Sequence, residues 1–201
     1  MVNSGDTGFV LICAAFVFFM TPGLALFYGG LGRRKNVVNT MLSSLFLVGV
    51  SIVLWVLVGY SLSFSGNIGG VIGNLDWIGM KGVGMEAGPY SDNIPNLAFA
   101  AFQMMFAIIT APLMTGAFAN RLTVSGWIKI LILWMILIYF PVAHWVWGGG
   151  FLSKLGFVDF AGGAVIHITS GFGCLGGIYV LGERKFKNEH GPFNIGLVAI
   201  G

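Results

Sequence analysis

The chain has 201 residues, of which 57% are hydrophobic and only 8% charged. A water-soluble domain carries roughly 25% charged residues, so this composition excludes a chain that covers itself with a solvent-compatible surface. The net charge of +3 does not point to nucleic acid, because the basic residues sit in short clusters between apolar runs rather than along one face.

In chain order, five stretches reach the ~20 mostly apolar residues that a membrane-spanning helix needs: 8–31, 38–64, 95–118, 127–148 and 160–182. The first is too long for the apolar core of a signal peptide. It has Asp6 in front and Arg33-Arg34-Lys35 behind, the reverse of a leader's charge order, so it reads as a retained span. Pro22, Pro112 and Pro141 fall inside spans, where the freed backbone groups need neighbouring helices; they indicate a packed bundle. The connection 65–94, rich in Gly and Asn, is expected to pack over the outer mouth as irregular structure. A sixth apolar run starts near Phe193. The 32 glycines suit close helix packing, as in the Gly173/Gly177 spacing of the fifth span. Gly-Phe-Gly-Cys-Leu-Gly at 171–176 matches a nucleotide-loop pattern but follows no strand, so it carries no nucleotide site.

If the spans alternate, Arg33, Arg34, Lys35, Arg121, Lys129, Arg184, Lys185 and Lys187 lie on one side, and only Lys81 and Lys154 on the other. The basic side is expected to be cytoplasmic, with the N-terminus outside and the loop 183–192 inside.

Chemistry-bearing residues are few. His167 lies about eight residues, roughly 12 Å, past the start of the fifth span. An imidazole at that depth faces either a neighbouring helix or a pathway, and its two nitrogens can donate and accept. Asp159 stands at the outer end of the same span, placed to cap a helix and to set a negative field at the mouth. Phe102 and Phe106, at i and i+4, share a helix face, and Trp147 ends the fourth span. These rings form either an interfacial belt or an inward cage that attracts a small cation through the ring quadrupole. Cys13 and Cys174 read as packing residues. His144, His167 and His190 do not form a metal motif, and His190 is expected to be solvated. No metal ligand set, cofactor loop or nucleophile–base pair is present, so neither a cofactor nor enzymatic activity is expected.

Five segments resemble, in order, the ammonium transporters of the Amt/MEP/Rh family. They are Pro22-Gly-Leu-Ala-Leu-Phe-Tyr-Gly-Gly30, Arg33-Arg-Lys-Asn36, Phe102-Gln-Met-Met-Phe-Ala107, Ala143-His-Trp-Val-Trp-Gly-Gly-Gly150 and Asp159-Phe-Ala-Gly-Gly-Ala-Val-Ile-His167. The resemblance implies an all-α, polytopic helical bundle, the first five-helix repeat (1–192) of an eleven-span inverted-repeat fold. Residues 193–201 would begin the second repeat. It further implies homotrimeric subunits, each with its own pore for ammonium or ammonia across the cytoplasmic membrane, and contact with a cytoplasmic regulatory protein. Phe102 and Trp147 match the outer recruitment aromatics, Phe106 a gating phenylalanine, His167 the first of two pore histidines and Asp159 a buried acid of the recruitment site. The second histidine and the partner gate would lie beyond Gly201. An ammonium sensor on the same fold is the alternative; a channel for a neutral gas such as carbon dioxide fits the cation-attracting aromatics less well.

Overall fold

A computed structural model describes residues 1–184 and 191–201. Lys185, Lys187 and His190 of the inner loop therefore lie outside the described residues. Among the described residues, five helices are long and apolar enough to cross a membrane: α1 (Ser4–Leu31), α2 (Arg34–Phe64), α3 (Asn96–Phe118), α4 (Val124–Lys154) and α5 (Gly163–Leu181). A short α6 (Ile195–Ile200) follows. Each of the five apolar runs overlaps one of these helices, because in lipid an apolar run of this length satisfies its backbone groups as a helix.

Local chemistry starts and stops these helices. Asn3 caps α1, its Oδ1 accepting from Gly5 N at 2.8 Å and Asp6 N at 3.1 Å. Thr123 and Asn194 cap α4 and α6 in the same way. Three helices contain a π-helical turn: Trp55–Gly59 in α2, Met135–Tyr139 in α4 and Gly163–Ile168 at the start of α5. The turn in α4 runs directly into Pro141. Proline lacks the N–H for an i→i−4 bond and its ring crowds the i−4 carbonyl, and a widened turn accommodates both.

The main core lies where α2, α3 and α4 meet. Trp55, Tyr60, Phe64, Ala107, Leu131, Met135, Tyr139 and Phe140 are all fully buried there. α1 packs on α2 and α3, and α6 folds back on α1. A Cβ on Gly30 would come within 2.8 Å of Asn194 O and Val198 N, so this contact brings backbone to backbone. α5 packs on α3 and α4 and buries Val165, Ile166, Thr169 and Ser170, while Phe172 and Tyr179 are 71% and 88% exposed.

The connection 65–94 is more ordered than expected. It contains a 3-10 turn (Ile78–Met80) and an antiparallel hairpin of β1 (Ala87–Gly88) and β2 (Ser91–Pro95). Strands this short, one ending in proline, leave no period-two hydropathy signal. The segment is fastened to the bundle: Trp77 stacks on Tyr60 with ring centroids 5.3 Å apart, and Asn3 N donates to Asn93 O at 2.7 Å. The Tyr90 hydroxyl donates to Phe64 O at 2.6 Å, and burial pushes its pKa up to about 12, which keeps it a donor.

Candidate functional site

Two neighbouring turns of α3 present Phe102 and Phe106. Their rings meet edge to face, 4.9 Å apart at 88°. Phe106 in turn lies 6.0 Å from the Trp147 ring at 53°. All three side chains are half-buried. The structure therefore brings the three aromatics together as one cluster, with Phe106 between Phe102 and Trp147. Thr110, buried one turn below, donates from Oγ1 to Phe106 O at 2.5 Å, filling the carbonyl of the residue that links the cluster.

Trp147 is held from two directions. It caps the main helical run of α4, which closes at Val146, its N–H donating to Ala143 O at 2.8 Å. Its indole Nε1 donates to the main-chain carbonyl of Asp159 at 2.9 Å. The triple glycine that follows lets the chain reverse. Gly148 is required for close approach, since a Cβ there would sit 2.0 Å from Ser63 O.

Asp159 acts from the loop before α5. Its Oδ1 accepts from Gly163 N at 2.7 Å, and its Oδ2 from Ala164 N at 2.8 Å and Val165 N at 3.0 Å. These are the free donors of the first turn, where the helix dipole favours a negative charge. The capping role expected from the sequence is present, but the helix begins later than expected. Gly162 adopts a left-handed conformation (φ 81°) and α5 starts at Gly163. His167 is consequently four residues into α5 rather than eight, inside the π turn, with its N–H donating to Gly162 O at 3.1 Å. Its side chain is exposed, on the open side of α5. Asp159 thus joins the two halves of the site: its carbonyl orients Trp147 and its carboxylate orders the turn carrying His167.

One residue set apart only as a non-ligand in the sequence lies three residues before Trp147, in the last helical turn before it. His144 is fully buried, and its Nδ1 lies 3.0 Å from Ser63 O on α2. The signal available was a histidine one helical turn before Trp147 inside an apolar span.

At the opposite end of the bundle, Arg184 donates to Gly116 O at 2.9 Å and Ala119 O at 3.2 Å, and Arg121 donates to Gly182 O. Each arginine thereby fills carbonyls at the end of the other's neighbouring span. Burial, with the charges of Arg121 and Arg33 nearby, holds the Arg184 guanidinium below its ordinary pKa.

Comparison with known proteins gives a consistent result. The family model described as Ammonium Transporter Family matches residues 8–201. An ammonium transporter of Bacillus subtilis is 48% identical over 195 residues, covering 96% of this chain and 48% of the relative. A putative ammonium transporter of Methanothermobacter thermautotrophicus is 47% identical, covering 100% of this chain and 49% of the relative. Among solved structures, Saccharomyces cerevisiae Mep2 superimposes with a TM-score of 0.88 at 35% identity, over 99% of this chain and 46% of Mep2. A structure titled Sensor Amt Protein superimposes with a TM-score of 0.84 at 27% identity, over 97% of this chain and 50% of that one. The chain spans about half the length of the relatives it matches.

Proposed function

The chain belongs to the ammonium transporter family, and on that premise we propose that it supplies the outer mouth and one wall of an ammonium-conducting pore in a multi-pass protein of the cytoplasmic membrane. The observation that carries this reading is the connected set Phe102–Phe106–Trp147–Asp159, with His167 on the turn that Asp159 caps. Ammonium is drawn to the ring faces of Phe102 and Trp147 by cation–π attraction, worth about 0.5–2 kcal/mol. Asp159 contributes by holding Trp147 in place and by fixing a negative charge near the mouth. Phe106 closes the path inward, so the ion gives up its proton before ammonia passes. Beyond it, His167 offers ammonia a donor and an acceptor on a wall that is otherwise apolar. A potassium ion cannot become neutral by losing a proton, and an unpaired charge in apolar surroundings is too costly to cross.

The basic end of the bundle faces the cytoplasm and the N-terminus faces outside, in keeping with the positive-inside rule. Subunits of this kind assemble as homotrimers with a pore in each and engage a cytoplasmic regulatory protein at the basic end. Transport is favoured over sensing because the relatives in B. subtilis and in Aquifex aeolicus, 48% and 43% identical, are named ammonium transporters, whereas the sensor structure is 27% identical.

Methylammonium uptake by cells expressing the gene tests the reading. Trp147→Ala is expected to raise KM by about threefold to thirtyfold, the equivalent of one lost cation–π contact. His167→Ala is expected to reduce the maximal rate or to admit potassium. Unchanged uptake and unchanged selectivity in both variants would overturn the site assignment.

A further inference from the structure

We infer that His144 is a positioning residue for Trp147, acting through its Nδ1–H alone. The inference rests on the transport reading above and deepens it. His144 sits in the last turn of the helical part of α4, three residues before Trp147, and has no exposed surface. Its Nδ1 lies 3.0 Å from the carbonyl oxygen of Ser63 near the end of α2. A carbonyl only accepts, so Nδ1 carries the proton and Nε2 is left with a lone pair. That Nε2 is buried and has no hydrogen-bond partner among the described residues.

A buried histidine that uses one nitrogen and strands the other is an expensive way to fill space, because an unpaired buried polar atom is destabilising. The geometry shows what the engaged nitrogen secures. The carbonyl of His144 accepts from Gly148 N at 3.1 Å and Gly150 N at 2.9 Å, so the turn after Trp147 closes on this residue. The same Ser63 carbonyl lies where a Cβ of residue 148 would be. Ser63, His144 and Gly148 therefore form one close contact between α2 and α4. Trp147 projects from it towards Phe106 and Asp159. The His144–Ser63 bond fixes the height of that turn against α2, and with it the reach of the indole to the Asp159 carbonyl.

The asymmetry of the two nitrogens makes the idea testable. An asparagine amide places an N–H where Nδ1 stands; a glutamine amide places it where Nε2 stands. His144→Asn, His144→Gln and His144→Leu are made in the wild-type and Trp147→Ala backgrounds, and methylammonium uptake is measured. In the wild-type background Gln and Leu are expected to raise KM about threefold or more, with the maximal rate within about twofold, while Asn stays near wild type. In the Trp147→Ala background none of the three should raise KM further, since the group they position is gone. Rescue by Gln as good as by Asn, or equal KM increments in both backgrounds, would overturn the inference. Should the Leu variant not fold, the Asn/Gln pair decides alone. Absence of saturable uptake in the wild type would instead sink the transport reading. Hydrogen exchange of the Trp147, Gly148 and Gly150 amides then decides the tether: faster exchange in Gln than in Asn supports it, and equal exchange refutes it.

Discussion

Every oxygen of Asp159 accepts at least one hydrogen bond. Both carboxylate oxygens are taken by the first N–H groups of α5, and its carbonyl is taken by the Trp147 indole. A carboxylate so engaged is better placed to organise than to bind ammonium directly. Removing it strips three charge-assisted bonds from a helix start and turns the favourable dipole interaction off. Asp159→Ala is therefore expected to destabilise the protein by about 2–4 kcal/mol, visible as a lower midpoint of thermal unfolding in detergent. Asp159→Asn keeps one acceptor oxygen without the charge and should lose about half as much. The uptake defect of the Ala variant should exceed that of Trp147→Ala, because His167 loses its ordered turn and the loop carrying the Asp159 carbonyl, which the substitution keeps, loses the bonds that hold it against the Trp147 indole. An unfolding midpoint unchanged in the Ala variant would show that the cap is dispensable.

At the level of elements, the glycine turn at 148–150, which interrupts α4 before its last stretch Phe151–Lys154, is expected to tolerate change poorly. Of its glycines, Gly149 has the left-handed backbone (φ 79°) yet open space around a Cβ, whereas Gly148 has an ordinary backbone and a Ser63 carbonyl 2.0 Å from that Cβ. A left-handed alanine costs about 1–2 kcal/mol; a methyl forced into backbone displaces a helix. Gly148→Ala is thus expected to be the more damaging, lowering folded yield and the unfolding midpoint more than Gly149→Ala. The opposite order would mean that α2 and α4 can separate at this end without consequence. Neither this contact nor the π turns were legible in the sequence. A one-residue widening of a helix leaves hydropathy unchanged, and the bonds Trp147–Asp159 and His144–Ser63 join residues that no period relates. Span positions were legible because lipid demands a long uncharged run. Asp159 was legible as a cap, but the helix start was not, since it depends on Gly162 turning left-handed between the acid and the first turn. Phe102 and Phe106 were legible as one face from their spacing; that Trp147 turns inward to meet them was carried by the family resemblance, not by spacing.

For the molecule as a whole, the two ends of the bundle differ in chemistry, and the proposed orientation rests on that difference. The N-terminal segment bonds to the hairpin strand β2 through Asn3 and Asn93, and the same end holds Trp147, Asp159 and Lys154. The other end collects Arg33, Arg121 and Arg184, with the guanidinium groups of the last two on helix-terminal carbonyls. Arginine at a helix C-terminus stabilises the negative end of the dipole, so the cluster is built into the fold as well as into the topology signal. The proposed orientation puts this charge on the side where basic loops are retained, the cytoplasm. The orientation can be read by labelling with a membrane-impermeant maleimide after Cys13 and Cys174, both free thiols, are replaced by serine. Asn93 and Asn120 are exposed at opposite ends of the bundle. Asn93→Cys is expected to react in intact cells and Asn120→Cys only after permeabilisation. The reverse pattern would put the Trp147 mouth in the cytoplasm and turn the proposed recruitment site into an exit.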